Sequence, residues 1–183
     1  MELVDVTANK TDVKQLSKWL KRDFPLAERT PFRILQSLAK KGGIRFYFAK
    51  EGGSVLAYTV LHFFRGYTQV LYLAVMPEGR GRGTGSKLIP LIKEKAGGTL
   101  ILEVEDPACA ETHEELVTRE RRIAFYRRLG FEMLPGCRLL IQGGVLRPMS
   151  DGEVKGDLPE LWRSMYRELA GAFFGMCIRI YGK

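Results

Sequence analysis

Between Val75 and Ile89 the sequence reads VMPEGRGRGTGSKLI, with glycines at 79, 81, 83 and 85 and arginines at 80 and 82 between them. Alternate glycines strip side chains from a turn and let a bulky group approach the main chain. Arginines and bare amides suit an anion. A strand-like run, TQVLYLAVM, leads into the turn and a helical one, SKLIPLIKEKA, leaves it. The first amides of a helix have no internal partners, and its dipole adds partial positive charge there, so a diphosphate is a fitting guest.

Three common ways of using such a turn fit poorly. A phosphate-binding P-loop needs Gly-Lys-Ser/Thr in direct succession, and here Ser86 separates Gly85 from Lys87. A dinucleotide fold would place a ribose-binding acid near Glu103, about 20 residues on. That fold also wants its first glycine at the strand end, whereas Met76, Pro77 and Glu78 intervene and three successive strands precede the turn. An RNA-binding Arg/Gly arm would be longer and would not sit between a strand and a helix.

The elements that must hold this turn follow from periodicity. MELVDVTA alternates as a first strand. TDVKQLSKWLKRDF puts Val13, Leu16, Leu20 and Phe24 on one helical stripe, with Thr11 as cap and Pro25 as stop. TPFRILQSLAKKGG reads as a second helix, opened by Pro31 and closed by Gly42. IRFYFAK, SVLAYTVLHFF and TQVLYLAVM are three strands joined by short turns, which favours antiparallel neighbours. In the helix after the glycine turn, Pro90 belongs in the first turn, where its missing N–H costs least. TLILEVE is a further strand. THEELVTRERRIAFYRRLG is a charged helix with Leu116, Ile123, Tyr126 and Leu129 near one face, ended by Gly130. FEMLPGCRLLIQ and GGVLRPM read as a closing strand pair. A polar linker, SDGEVKGDLPE, then leads to a helix with Leu161, Met165, Leu169 and Phe173 in its stripe and to a strand-like MCIRIY. The class is α/β (α+β): a mixed sheet with helices on both faces.

Bulk properties narrow the function classes. The 183 residues are 45% hydrophobic and 27% charged, which suits a globular chain with a real core. A net charge of +8 attracts polyanions or phosphorylated small molecules, or simply keeps the protein soluble. Cys109, Cys137 and Cys177 lie far apart, and with only His62 and His113 they make no convincing metal site, so no metal is expected and the thiols read as reduced. The amino terminus has no signal pattern and no apolar run approaches a membrane span. A cytoplasmic protein without membrane contact is therefore expected.

The stretch with Val75, Pro77, Arg80, Gly83 and Gly85 resembles the acyl-coenzyme A signature of the GCN5-related N-acetyltransferase (GNAT) superfamily. AFYRRLGFEML resembles that family's second motif through Tyr126, Leu129, Gly130 and Phe131. The two motifs stand in the family's order, and the resemblance covers roughly residues 1–150, leaving 151–183 as a linker, helix and strand-like extension. It implies a mixed, mostly antiparallel sheet, acetyl-CoA as cofactor, and acetyl transfer to an amine by direct attack.

By the same resemblance, Arg80, Gly81, Arg82, Gly83, Thr84, Gly85 and Ser86 cradle the diphosphate. Thr84 or Ser86 adds a hydroxyl there or caps the helix. A bulge at Leu73, Ala74 and Val75 exposes backbone amides to the acyl carbonyl, with Val75 as oxyanion donor. Tyr126 is the acid for the cofactor sulfur, or else a core aromatic. Glu103 is the first candidate for base. Glu105 points the same way in a strand, so that two adjacent carboxylates could raise one pKa; the alternative is a solvated strand face. Glu28, Phe24 and Phe32 border the acceptor, with Glu28 meeting a cationic one, or else form a plain interhelical turn. His113 lies in an insert longer than the family pattern. The acceptor is a small-molecule or protein amine. Nucleic acid is not expected as a partner, and a homodimer is one way to bury the stripe of the extension. The rival reading is a non-catalytic module of the same fold that binds coenzyme A or nucleic acid through its arginines.

Overall fold

In the computed structural model, which describes residues 1–141, 144–170 and 178–182, the strand-like runs and helical stripes take their places in two units, 1–100 and 101–183. Among the described residues seven strand pairings are antiparallel, and five α-helices accompany the strands. This is the mixed α/β class with a mostly antiparallel sheet expected from the sequence.

The first unit is a meander of four strands: β1 (Glu2–Asp5), β2 (Ile44–Glu51), β3 (Ser54–Phe64) and β4 (Tyr67–Val75), each paired with the next. Seven successive residues of β3 are buried, so both of its faces are covered. Helices α1 (Lys10–Asp23) and α2 (Phe32–Lys40) cover the face of Phe46, Phe48 and Tyr58: Trp19 stacks on Tyr58 at 5.8 Å and Phe32 on Phe46 at 5.9 Å. Helix α3 (Thr84–Lys95) lies against β1 and β3, with Leu88, Ile89 and Ile92 fully buried.

Several local expectations shift. The cap of α1 is Asn9, whose side chain accepts from the amides of Thr11 and Asp12, so Thr11 sits inside the first turn. The end of α2 closes as predicted: Gly42 takes φ +83°, and the Gly42 and Gly43 amides bond back to Ala39 and Leu38. Helix α3 starts at Thr84, two residues before Ser86, and Pro90 therefore falls in its interior. There it removes the bond its amide would have given to the Ser86 carbonyl.

The second unit begins within β5 (Thr99–Glu105) and continues through α4 (His113–Arg128), β6 (Glu132–Met133), β7 (Cys137–Ile141), β8 (Gly144–Ser150), α5 (Leu158–Ala170) and β9 (Ile178–Gly182). Strand β8 pairs with β5, β6 and β7, and β9 pairs with the far edge of β7. The run FEMLPGCRLLIQ is thus two strands, broken at Gly136 with φ +74°. The extension joins this sheet. Trp162, Met165 and Leu169 of α5 are buried against β7 and β9, while Leu161 is only half-buried. The stripe is turned by one residue from the predicted one because the largest apolar side chain, Trp162, takes the inward position. Phe173 and Cys177 lie outside the described residues.

Candidate functional site

Beyond Val75 the chain makes one 3₁₀ turn, Pro77–Gly79, before the glycine-rich bend. The Met76 amide bonds to Leu56 O at 2.9 Å and holds the turn against β3. Gly79 is buried there, and a Cβ on it would stand 2.6 Å from the Leu56 carbonyl oxygen. Gly81 and Gly83 have different reasons to be glycine: both face open space, but their φ values are +73° and +69°. Gly83 is the N-cap of α3 and supplies no capping side chain. The Thr84 hydroxyl, expected on the ligand or as a cap, instead donates to Gly79 O at 2.6 Å and ties the helix start to the turn.

Lys87 is the first residue of α3 whose amide is bonded, to Gly83 O at 3.1 Å. From Gly81 to Ser86 the amides donate to no group among the described residues. Arg80 turns back, its Nε donating to Val75 O at 3.3 Å. The bend therefore collects unused main-chain donors, the positive end of a helix and two arginines in one short stretch. Such a set binds a multiply charged oxyanion.

The irregularity predicted at Leu73–Val75 is displaced. Those residues pair regularly with Thr59, Tyr58 and Ala57, and the register slips instead where Val60 faces Tyr72 and Leu61 faces Val70. Leu71 is the extra residue. The Thr59 hydroxyl donates to Tyr72 O at 2.8 Å just beside it and fixes the ladder on the Val75 side.

The segment expected from the sequence to border the acceptor lines a cavity of about 250 Å³. Phe32 lines it; Phe24 and Glu28 do not. Phe24 packs edge-on against Tyr72 at 4.9 Å, and Glu28 is exposed. The link to β4 is the Tyr72 hydroxyl, which accepts from the Thr30 amide at 2.7 Å and donates to Glu28 O at 2.9 Å. At the end of α1, Arg22 grips Asp23 with two bonds of 2.7 and 2.9 Å, and the Tyr58 hydroxyl donates to the same carboxylate at 2.7 Å. The bond from Arg22 outweighs burial and holds the Asp23 pKa below the usual carboxylate range, while burial and the Asp23 charge push that of Tyr58 upward.

In the second unit, Glu103 and Glu105 alternate with buried Leu102 and Val104 as expected. Each has its own partner. Trp162 Nε1 donates to Glu103 Oε1 at 2.6 Å, and Glu105 forms an ion pair with Arg122. Burial, reinforced by the Glu103 charge, raises the Cys137 thiol to about 11. Tyr126 packs edge-on against Phe131 at 5.6 Å. Its hydroxyl makes no hydrogen bond among the described residues, and burial raises its pKa against the opposing pull of Arg122. His113 is exposed at the start of α4.

Residues 42–133 match the family model of the GNAT acetyltransferase domain. The chain belongs to the GNAT acetyltransferase family. Its fold is similar to that of a GNAT-family acetyltransferase from Bacteroides thetaiotaomicron, with a TM-score of 0.74 at 19% identity over 96% of this chain and 99% of that one. It is also similar to an aminoglycoside 6'-N-acetyltransferase in complex with coenzyme A, with a TM-score of 0.62 at 16% identity over 86% of this chain and 100% of the other. A Bacillus subtilis acetyltransferase in complex with CoA gives 0.55 at 12% identity, over 84% and 99% of the two chains. No sequence among curated proteins matches the chain.

For a GNAT chain, the glycine bend was the most legible feature, since its donors come from main chain that the glycines themselves announce. Sequence reasoning passed over Arg22, Asp23, Tyr58, Tyr72 and Trp162. Consecutive Arg-Asp at the end of an amphipathic helix was a signal for the first pair. The tyrosines and the tryptophan read as core residues, and core residues they are; only their polar tips do more.

Proposed function

We propose that the chain is an N-acetyltransferase that moves an acetyl group from acetyl-CoA to a primary amine by direct attack. The observation that carries this reading is the run of unused amides from Gly81 to Ser86 at the head of α3, a donor set that fits a diphosphate. In this reading Arg80, Gly81, Arg82, Gly83, Thr84, Gly85 and Ser86 hold the diphosphate, Thr84 through its amide. Leu73 and Ala74 border the pantetheine arm. Bound acetyl-CoA supplies an acyl group activated as a thioester.

The remaining work belongs to side chains and one amide. Val75 N–H meets the negative charge that develops on the acyl oxygen. Tyr126, kept protonated by burial, holds a proton for the departing sulfur. Glu103, oriented by Trp162, takes the proton that the amine must lose, and Glu105 serves mainly to position Arg122. Purified protein with acetyl-CoA and an amine panel tests the reading through thiol release and mass spectrometry of the product. N-acetylated product with some amine is expected. Absence of product together with no calorimetric binding of coenzyme A would remove it.

A further inference from the structure

The cavity beside α1 and α2 has one sign of charge. Lys21 and Arg29 line it, and no carboxylate does. Neither cation forms an ion pair among the described residues. The Arg29 Nε atom is buried without a hydrogen-bond partner among the described residues, a state that costs free energy unless a ligand or a water meets it. Two carboxylates close in sequence do not line it: Asp23 is held by Arg22 and Tyr58, and Glu28 is exposed. Phe32, Leu20 and Leu26 supply an apolar wall.

We propose that the acceptor is a small primary amine carrying a carboxylate or comparable oxyanion on an apolar body, with Arg29 and Lys21 taking the oxyanion and Phe32 and Leu20 the body. This rests on the acetyl-transfer reading. Guanidinium and ammonium donors pair with oxyanions through charge-assisted bonds, and they repel the additional positive charges of a polyamine or aminoglycoside. The size agrees: a cavity of about 250 Å³ has room for an amino-acid-sized molecule. The sequence-based expectation that Glu28 receives a cationic acceptor gives way here, because Glu28 does not line the cavity.

Matched pairs test the inference: phenylalanine against phenethylamine and leucine against isoamylamine, with spermidine as a polycation. The carboxylate member of each pair should have a kcat/KM at least about tenfold higher, the size expected for a charged hydrogen bond. Arg29→Gln should lower kcat/KM for the carboxylate member at least about fivefold more than for its partner. Calorimetry without cofactor supplies a second readout: N-acetylphenylalanine should bind more tightly than N-acetylphenethylamine, and Arg29→Gln should erase the difference. If Arg29→Gln does not fold, Lys21→Met, at an exposed position, takes its place in both measurements. Equal or reversed preference overturns the inference, as does a preference that survives both substitutions. Acetylation of spermidine but of neither amino acid overturns it while leaving acetyl transfer intact. If no amine is acetylated, the acetyl-transfer reading fails, and the calorimetric comparison still decides what the cavity takes.

Discussion

Gly79 and Gly83 separate two reasons for a glycine in the same bend. Gly79→Ala would drive a methyl group to 2.6 Å from Leu56 O, so we expect a loss of about 1–3 kcal/mol in denaturant unfolding. Gly83→Ala meets no neighbour and pays only for its positive φ, about 1–2 kcal/mol; its larger effect should be weaker coenzyme A binding by calorimetry. Tyr126→Phe should lower kcat roughly a hundredfold, the lower end of what general acids contribute, with little change in coenzyme A affinity; unchanged kcat would return Tyr126 to the core. Burial raises the Tyr126 pKa, so its acid form persists beyond the ordinary tyrosine value of about 10, and Tyr126 should cause no loss of kcat between pH 7 and that value. At the two cysteines among the described residues, alkylation mapped by mass spectrometry at pH 8 should label exposed Cys109 and spare Cys137, whose thiol is raised to about 11.

Helix α1 is fastened at its far end by Asp23. The Arg22 bond lowers the Asp23 pKa, so this fastening is fully present above the unfolded value of about 3.9 and is lost as pH falls through the lower folded value. Asp23→Asn should therefore cost a constant amount of stability from neutral pH down to about 5, and the gap to the parent should close in stronger acid. Tyr58→Phe should cost about 1–3 kcal/mol, as for other hydrogen bonds to a charged partner. The existence of nearly every element was legible because apolar residues recur at helix or strand spacing in Val13, Leu16 and Leu20 or in the runs of β2 to β4. Boundaries were less so. Asn9 and Thr11 are both competent caps, and which one serves depends on where tertiary packing starts the helix. The bulge at Leu71 carries no compositional mark, since a one-residue slip in register is decided by packing on two faces at once.

For the whole molecule, the extension beyond Ser150 contributes to the sheet instead of trailing from it. Trp162, Met165 and Leu169 are fully or almost fully buried, worth about 1.5–3 kcal/mol each. Their sum approaches the 5–15 kcal/mol that typically separates a folded domain from its unfolded chain. A chain ending at Ser150 should therefore be insoluble or should lose its cooperative thermal transition by circular dichroism. That burial could be anticipated from the stripe, but its location could not: pairing of β9 with β7 is a contact across some forty residues, and nothing local encodes it. The amides proposed to hold the diphosphate, by contrast, belong to the main chain of a single bend. Every residue type except proline carries the same N–H, so point substitution can redecorate Arg82, Ser86 or Lys87 without erasing the grip. On the proposed reading, evolution is left free to rewrite what such a protein acetylates while the handle it holds the donor by stays unwritten in any one side chain.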